Sequence, residues 1–384
     1  MSDIIYFDNS ATTKIYPEVL SEMNRIYSSF FGNPSSLHRL GGEAEKVLLE
    51  SREIIAKTLK VSPNEIFFTS GGTESNNWAI KGAARANKRR GKHLITSGAE
   101  HPSVLECFNF LKTEGFSAEI TKTDQSGLLN RENFIEKITD NTTLTSFILV
   151  NNETGAIQKA EELIAAIRSI NKNTVIHIDA VQAYGKIPLD LRKIDADIVS
   201  LSAHKIHGPK GCGALYIREN TRIIPILHGG GQENSYRSGT ENVPAIWGFA
   251  IAAKIINENI DENRNKVRRL KSIVISELDK FFGSGEYFVN SPPDAYEGIV
   301  NISFKNVKAQ VLMQHLEAES IIVSTGSACS SRKNMQSHVL SAMNLPMERT
   351  EGAIRISFSG MNTEDEALMF AEAIKKIVPK IRYR

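Results

Sequence analysis

Between about residues 50 and 220, the chain alternates between two patterns of hydrophobic and polar positions. Short runs of apolar and β-branched residues predict strands at residues 65–69, 93–96, 143–150 and 175–179. Amphipathic stretches predict helices at residues 43–59 and 73–88. Strands that alternate with helices are typical of a mostly parallel sheet covered by helices. The pattern therefore predicts an α/β fold for this part of the chain.

The pattern changes after Gly248. A long, highly charged amphipathic stretch at residues 255–282 predicts a helix that joins two domains. The remainder mixes predicted strands with predicted helices, at residues 298–304 and 353–359 for the strands and 309–319 and 363–378 for the helices. We therefore predict a large domain at residues 14–258 and a smaller α+β domain formed by residues 1–13 and 259–384.

Composition and charge narrow the classes of function. Of the 384 residues, 41% are hydrophobic and 23% are charged, which is typical of a globular protein. A net charge of +2 gives no reason to expect direct binding of nucleic acid or of an anionic membrane. The N-terminus lacks the residue order of a signal peptide, and no apolar run reaches membrane-spanning length. We expect a cytoplasmic protein.

The three cysteines are Cys107, Cys212 and Cys329. Their spacing indicates neither a disulfide framework nor a metal site, so we expect no metal. Unpaired cysteines suit a reducing compartment, and one of them can be a reactive thiol.

Ligands of parallel sheets bind at the carboxyl ends of the strands. Polar motifs follow the predicted strands at this edge, namely Gly71-Gly72-Thr73, Glu100-His101, Asn151-Asn152-Glu153, Asp179 and Lys205.

Lys205 follows the apolar run 196–201 and precedes a turn rich in glycine and proline. By itself it is explained equally well as a solvated loop residue. A lysine held there is also suited to form a Schiff base with a carbonyl cofactor, provided that burial beside cationic groups removes its proton.

The turn at residues 70–77 has the features of an anion site. Its glycines allow a tight turn, and the backbone N–H groups of the following helix start can hold a phosphate. Ser202 and His204 are candidate further donors to that phosphate. The alternative for Thr73 is a helix N-cap.

Asp179, at the end of an apolar strand, either caps a turn or pairs with a protonated ring nitrogen, which makes the ring an electron sink. Gln182 is placed to contact a ring hydroxyl. His101 either has a structural role, stacks on the ring or shuttles protons. A Schiff-base lysine, a ring-nitrogen aspartate, a stacking histidine and a phosphate turn together specify pyridoxal 5'-phosphate.

With these motifs, the chain resembles the fold-type I pyridoxal-phosphate enzymes of the class V aminotransferase group, and within it the cysteine desulfurases of the NifS/IscS-like branch. The resemblance implies the transferase fold of that group, with a large mostly parallel sheet covered by helices and a smaller α+β domain. It rests on motifs that run almost end to end, at residues 6–13, 32–38, 70–77, 100–103, 151–155, 177–184, 202–213, 229–233, 237–240 and 326–329.

The resemblance implies a cofactor-binding role for most of these residues. Lys205 would hold the cofactor, and its free amine would take the substrate's α-proton. The other implied cofactor contacts are Gly72, Thr73, Ser202 and His204 at the phosphate, Asp179, Gln182 and His101 at the ring, and Thr240 from the second subunit of a homodimer.

Two residues are implied to bind the substrate. Asn152 would lie near the cofactor oxygen and the substrate. Arg355 would pair with the substrate carboxylate, since the guanidinium fork matches two oxygens. Without the resemblance, Arg355 is explained equally well as an ordinary arginine at a domain boundary.

Cys329 distinguishes a desulfurase from other enzymes on this scaffold. It lies in a run of small polar residues, which predicts an exposed mobile loop at about residues 324–336. Its thiolate would take sulfur from L-cysteine as a persulfide and leave L-alanine. Cys107 is predicted to be a core residue on a helix face, and Cys212 to be structural.

The resemblance implies a protein that accepts the sulfur, either an iron–sulfur scaffold or a tRNA-thiolation protein. The segment after Cys329 is charged, and Arg355 follows Cys329 by 26 positions. Both features depart from the best-known housekeeping members and favour a specialised acceptor. The alternatives are a selenocysteine lyase, a C–S β-lyase, a transaminase, or a non-catalytic relative, which would be expected to lack Lys205 or Cys329.

Overall fold

A computed structural model describes residues 4–326 and 337–383 of the chain. Its strands are β1 (Ile5–Tyr6), β2 (Ile66–Thr69), β3 (His93–Ser97), β4 (Ser117–Thr121), β5 (Thr142–Ile148), β6 (Val175–Asp179), β7 (Ile198–Ser202), β8 (Gly213–Ile217), β9 (Tyr287–Val289), β10 (Ile299–Phe304), β11 (Ile321–Ile322) and β12 (Ala353–Ser357). Its α-helices are α1 (Pro17–Ser29), α2 (Arg39–Leu59), α3 (Gly72–Asn77), α4 (Ala83–Asn87), α5 (Pro102–Thr113), α6 (Arg131–Glu136), α7 (Ala160–Ile170), α8 (Leu191–Ile194), α9 (Val243–Glu258), α10 (Ile260–Phe281), α11 (Ala309–Ala318), α12 (His338–Ala342), α13 (Met347–Glu351) and α14 (Glu364–Ile381).

The large sheet has seven strands in the order β2-β8-β7-β6-β5-β3-β4. The run from β7 to β4 is parallel, whereas β8 is antiparallel to both of its neighbours. Every residue of β2, β3 and β5–β8 is buried, because helices cover both faces of the sheet. The predicted α/β fold with a mostly parallel sheet is confirmed.

The C-terminal part contains a second, antiparallel sheet with the order β12-β10-β9. Helices α10, α11 and α14 pack together beside it. This arrangement confirms the predicted α+β character. The N-terminal strand β1 pairs in parallel with β11, so the start of the chain lies against the C-terminal part. The domain bounds at residues 13 and 258 stay predictions.

The predicted helix at residues 255–282 is wrong in one respect. It is two helices, α9 and α10, which meet at Asn259 with the non-helical angles φ −115° and ψ 20°. Helix α9 is apolar over most of its surface and packs against α1 and α2. Helix α10 is charged and buries only one stripe, including Leu270 and Leu278. Because α9 is buried over most of its surface and α10 only along one stripe, one straight helix would not satisfy both packing environments.

The described residues contain no helix that is both long and apolar enough to cross a membrane. Cys107 and Cys212 are each 2% exposed. Burial raises the pKa of Cys107 to about 11 and that of Cys212 to about 12, so neither thiol is reactive at neutral pH. The structural roles predicted for these two cysteines are confirmed.

Candidate active site

A cavity of about 310 Å³ opens at the carboxyl ends of the large-sheet strands. It brings together ten of the twelve predicted site residues, namely Gly72, Thr73, His101, Asn152, Asp179, Gln182, Ser202, His204, Lys205 and Arg355. Two larger surface grooves, of about 790 and 700 Å³, contain none of these residues. The predicted residues thus converge on one site although they come from segments far apart in sequence.

Two predicted residues are not in this group. Thr240 is exposed and does not line the cavity, so any contact that it makes with a cofactor would be in the cavity of another subunit. Cys329 lies outside the described residues. Gly326, the last described residue before Cys329, and His338, close to the first described residue after it, both line the cavity.

Lys205 ends a 3₁₀ turn, Ala203–Lys205, that follows β7. Its Nζ donates to the carbonyl oxygens of Ser10 at 2.6 Å and Ala11 at 2.7 Å. The N-terminal segment is held to the turn by Thr13, whose N–H and Oγ1 both donate to the His204 carbonyl. Residues of the N-terminal motif at 6–13 thus lie at the site and orient the lysine amine.

The helix start after β2 leaves room for an anion. Gly71 has φ +145°, a region that favours glycine. A Cβ on Gly72 would lie 2.8 Å from Val181 Cγ2, so only glycine allows this close approach. The hydroxyl oxygen of Ser202 is buried beside Gly71 and Gly72 and has no hydrogen-bond partner among the described residues.

Asp179 ends β6 and is 2% exposed. Its Oδ1 accepts from the Val181 N–H at 3.0 Å, and its Oδ2 accepts from Asn76 Nδ2 at 2.8 Å. The structure therefore shows that Asp179 caps a turn and also lines the cavity. A carboxylate held in this way is suited to pair with a protonated ring nitrogen.

His101 is the N-cap of α5, and its Nδ1 accepts from the Ser103 N–H at 3.1 Å. Burial lowers the pKa of His101, and nearby Lys205 and His338 lower it further against the opposing effect of Asp179. A neutral ring with Nδ1 accepting carries its proton on Nε2, where it donates. This geometry suits stacking and hydrogen-bond donation from Nε2, and the role of His101 in proton shuttling stays a prediction.

Arg355, in β12, is 4% exposed. Its Nη2 donates to Asp8 Oδ1 at 2.6 Å, and its Nη1 donates to the Asn152 carbonyl at 3.0 Å. Its Nε and Asn152 Oδ1 are buried and have no partner among the described residues. A cation oriented by Asp8, with donors left over, is suited to bind a carboxylate.

The residues present fit the cofactor and substrate that the resemblance implies. Buried polar atoms that lack partners cost about 1–3 kcal/mol each, and six residues that line the cavity carry such atoms, three of them predicted site residues: Ser202, Asn152 and Arg355. A phosphate, an amino acid and its carboxylate supply partners for these three. Asp179 and Lys205 offer the groups that a pyridine nitrogen and an aldehyde carbon require.

Sequence reasoning missed several residues of the site. Asp8 orients Arg355, and Asn76 holds Asp179. Lys186, 8% exposed, donates to Gln182 Oε1 and so directs the amide nitrogen Nε2 towards the Ser10 carbonyl, 2.8 Å away. Asp8 and Asn76 lie within the motifs at residues 6–13 and 70–77. The polar character of Asp8 and Asn76 within these motifs was the sequence signal that could have identified them as site residues.

Glu100 gives a testable pH dependence. It is fully buried, and its Oε1 accepts from Ser97 Oγ and the Ile148 N–H. Burial raises the pKa of Glu100 to about 8. Between the unfolded pKa and this folded pKa, the folded state binds the proton and the unfolded state does not, so stability falls as pH rises. Relative to the Glu100→Gln variant, we expect the wild type to lose up to about 1.4 kcal/mol per pH unit between pH 5 and 8.

Urea unfolding of both proteins at pH 5.5, 6.5 and 7.5 measures this difference. A difference in stability that does not change with pH would show that burial does not raise the pKa of Glu100 in the folded state into this range.

The family profile described as "Aminotransferase class-V" matches residues 5–370. A protein named "Cysteine desulfurase IscS" from Methanosarcina thermophila is 40% identical over 378 residues, which cover 98% of this chain and 93% of that one. A protein of the same name from Dictyoglomus turgidum is 39% identical over 98% of this chain and 95% of its own length.

Solved structures agree with these matches. A structure titled "NIFS-LIKE PROTEIN" has a TM-score of 0.93 at 39% identity and covers 98% of this chain and 100% of its own. A structure titled "SspA in complex with cysteine" has a TM-score of 0.83 at 33% identity and covers 94% of this chain and 100% of its own.

Proposed function

This chain belongs to the class-V aminotransferase family, and we propose that it is a pyridoxal-phosphate-dependent cysteine desulfurase. It converts L-cysteine to L-alanine and places the sulfur on Cys329 as a persulfide. The observation that carries the proposal is the single cavity that joins Lys205, Asp179, His101 and Arg355. The full-length similarity to proteins named cysteine desulfurase and to an SspA structure that holds cysteine supports the substrate.

The cofactor would be held by residues from several strand ends. Gly72, Thr73, Ser202 and His204 would bind its phosphate, and Lys205 would bind it covalently. Asp179 would pair with the ring nitrogen, Gln182 with the ring hydroxyl, and His101 would stack on the ring. When bound, pyridoxal phosphate supplies an electron sink for the charge left by removal of the α-proton.

The chain's own residues bind the substrate and move its protons. Arg355, oriented by Asp8, holds the substrate carboxylate, and Asn152 contacts the substrate beside it. Lys205 Nζ takes the α-proton, because it is the amine that the Ser10 and Ala11 carbonyls direct into the cavity. His101 carries its proton on Nε2, from which it can donate a hydrogen bond within the cavity. Cys329 takes the sulfur as its thiolate.

The sulfur then passes to an acceptor protein. We propose an iron–sulfur scaffold or a tRNA-thiolation protein as that acceptor, and the charged segment after Cys329 favours the second. The exposed position of Thr240 outside the cavity supports a homodimer in which this residue completes the partner's phosphate site. A cytoplasmic location is proposed because a reducing compartment keeps the acceptor and donor thiols available.

Mass spectrometry tests the proposal directly. After the cofactor-loaded protein is exposed to L-cysteine, the peptide that contains Cys329 should gain one sulfur atom while alanine appears. The peptides of Cys107 and Cys212 serve as internal controls and should not change, since burial raises the pKa of both thiols. Free sulfide with no added sulfur on Cys329 would indicate a C–S β-lyase, and a requirement for a keto acid would indicate a transaminase.

The acceptor is tested separately. The persulfide is labelled with isotopic sulfur and offered to an iron–sulfur scaffold and to a tRNA-thiolation protein in equal amounts. Transfer only to the scaffold would contradict the specialised acceptor and leave the desulfurase proposal intact.

A further inference from the structure

Glu153 is a buried carboxyl group that lines the cavity and has no part in the steps above. It is 1% exposed and lies in the turn after β5. Asn151 fixes this turn, since its Oδ1 accepts from the N–H groups of Glu153 at 2.9 Å and Thr154 at 3.0 Å. Asn151 Nδ2 in turn donates to the Ala99 carbonyl. The backbone that presents Glu153 is therefore tied to the end of β3.

The Glu153 side chain contacts both described ends of the chain that flank residues 327–336. Ser337 Oγ donates to Glu153 Oε2 at 2.5 Å. A Cβ built on Gly326 would lie only 1.8 Å from the same oxygen, so the backbone of residue 326 lies directly against the carboxyl group. Gly326 and Ser337, which lie on either side of Cys329 in the sequence, thus meet at one buried side chain in the turn after β5.

The neighbouring contacts give this meeting point a defined geometry. Ser337 Oγ also accepts from the Leu340 N–H at 3.1 Å, which makes Ser337 the N-cap of α12. His338 Nε2 lies 2.8 Å from the Glu100 carbonyl oxygen, to which it donates. The start of α12 is therefore bound to two turns of the large domain, one through Glu153 and one through Glu100.

Burial of Glu153 disfavours the charged form of its carboxyl group. Burial raises the pKa of Glu153, against opposing effects of Ser337, His338 and Arg355. Its Oε1 is buried and has no partner among the described residues. In this geometry Glu153 provides an oxygen that accepts from Ser337 and a side chain that fills the space beside Gly326.

We propose that Glu153 is a positioning residue for sulfur transfer. By holding Gly326 and Ser337 at one point, it sets the place from which the segment that carries Cys329 reaches the substrate. This inference rests on the proposed desulfurase function. In this role Glu153 does not contact the reacting atoms. Loss of the Glu153 side chain should therefore slow the transfer of sulfur and leave the binding of cofactor and cysteine unchanged.

Two measurements separate these steps. The absorbance change when cysteine is titrated into the cofactor-loaded protein reports substrate binding and does not require Cys329. Rapid quenching with a thiol-alkylating reagent, followed by mass spectrometry, reports the rate at which Cys329 gains sulfur in a single turnover.

For Glu153→Ala we expect the single-turnover rate to fall roughly 10- to 100-fold, because small misplacements of reacting groups have effects of this size. The apparent Kd for cysteine and the absorbance of the bound cofactor should stay within about twofold, since the variant leaves the cofactor and substrate contacts intact. Glu153→Gln should retain most of the rate, because its amide oxygen accepts from Ser337 and its volume is the same.

Ser337→Ala should show a smaller defect of the same kind, and the double variant with Glu153→Ala should be no slower than Glu153→Ala alone. Ser341→Ala is the matched control, since Ser341 lies on the same helix and its hydroxyl donates, among the described residues, to the Ser337 carbonyl and not to Glu153. Gly326→Ala should also slow the transfer, because its methyl group would overlap the carboxyl group.

Equal losses of cysteine binding and of the transfer rate in Glu153→Ala would overturn the proposal and show a general structural role. A wild-type rate in Glu153→Ala would overturn it as well. If the wild type itself gains no sulfur on Cys329, the desulfurase function fails, which is a different result from either of these.

Discussion

Replacing Lys205 with alanine should abolish the absorbance of the lysine-bound cofactor and reduce alanine formation from cysteine by at least about 10³-fold. The variant loses both the covalent attachment and the amine that takes the α-proton, and loss of a general base alone typically costs roughly 10²–10⁴-fold. The remaining phosphate and ring contacts do not depend on this side chain, so cofactor should still bind noncovalently. Absorbance spectra, equilibrium dialysis of the cofactor and an assay for alanine measure the three quantities.

Lys210 provides the matched control. It is an exposed lysine in the same turn and does not line the cavity, so Lys210→Ala removes the same charge without removing the catalytic amine. Its spectrum and rate should resemble those of the wild type. Alanine formation by Lys205→Ala within about tenfold of the wild-type rate would contradict the assignment of Lys205 as base, given the usual size of such effects.

Replacing Cys329 with serine should stop sulfur transfer while the cofactor site remains functional. We expect transfer of sulfur to a dithiol or protein acceptor to fall by about 10³-fold or more, as expected when a nucleophile is removed. The cofactor absorbance and its change on adding cysteine should persist, because those signals depend on Lys205, Asp179 and Arg355. Labelled-sulfur transfer and cysteine titration by absorbance measure the two outcomes.

Cys212→Ala is the control for this experiment, since Cys212 is buried in the turn after Lys205 and its pKa is raised to about 12. It should transfer sulfur at close to the wild-type rate. Full turnover by Cys329→Ser with release of free sulfide would refute the persulfide mechanism and favour a C–S β-lyase.

The sheet and its strand ends were predictable because both depend on local patterns. Strands such as β5 and β6 are rich in apolar and β-branched residues and are buried throughout, and a parallel sheet places the polar residues that follow such strands at one edge. The division at Asn259 was not predictable in this way. Neither glycine nor proline marks the junction of α9 and α10 at Asn259, and the two helices separate because they pack against different surfaces.

The sequence alone was enough to predict which residues carry the chemistry: Lys205, Asp179, His101 and Gly72 each stand in a short motif whose residue types suit one task. The tertiary structure decided how those groups are oriented. Asp8 meets Arg355 across 347 positions, and Ser337 meets Glu153 across 184. Such contacts arise from the packing of distant segments, which local hydrophobic periodicity does not encode. The hydrogen bonds of such contacts gain strength only in the folded protein, where burial removes competing water.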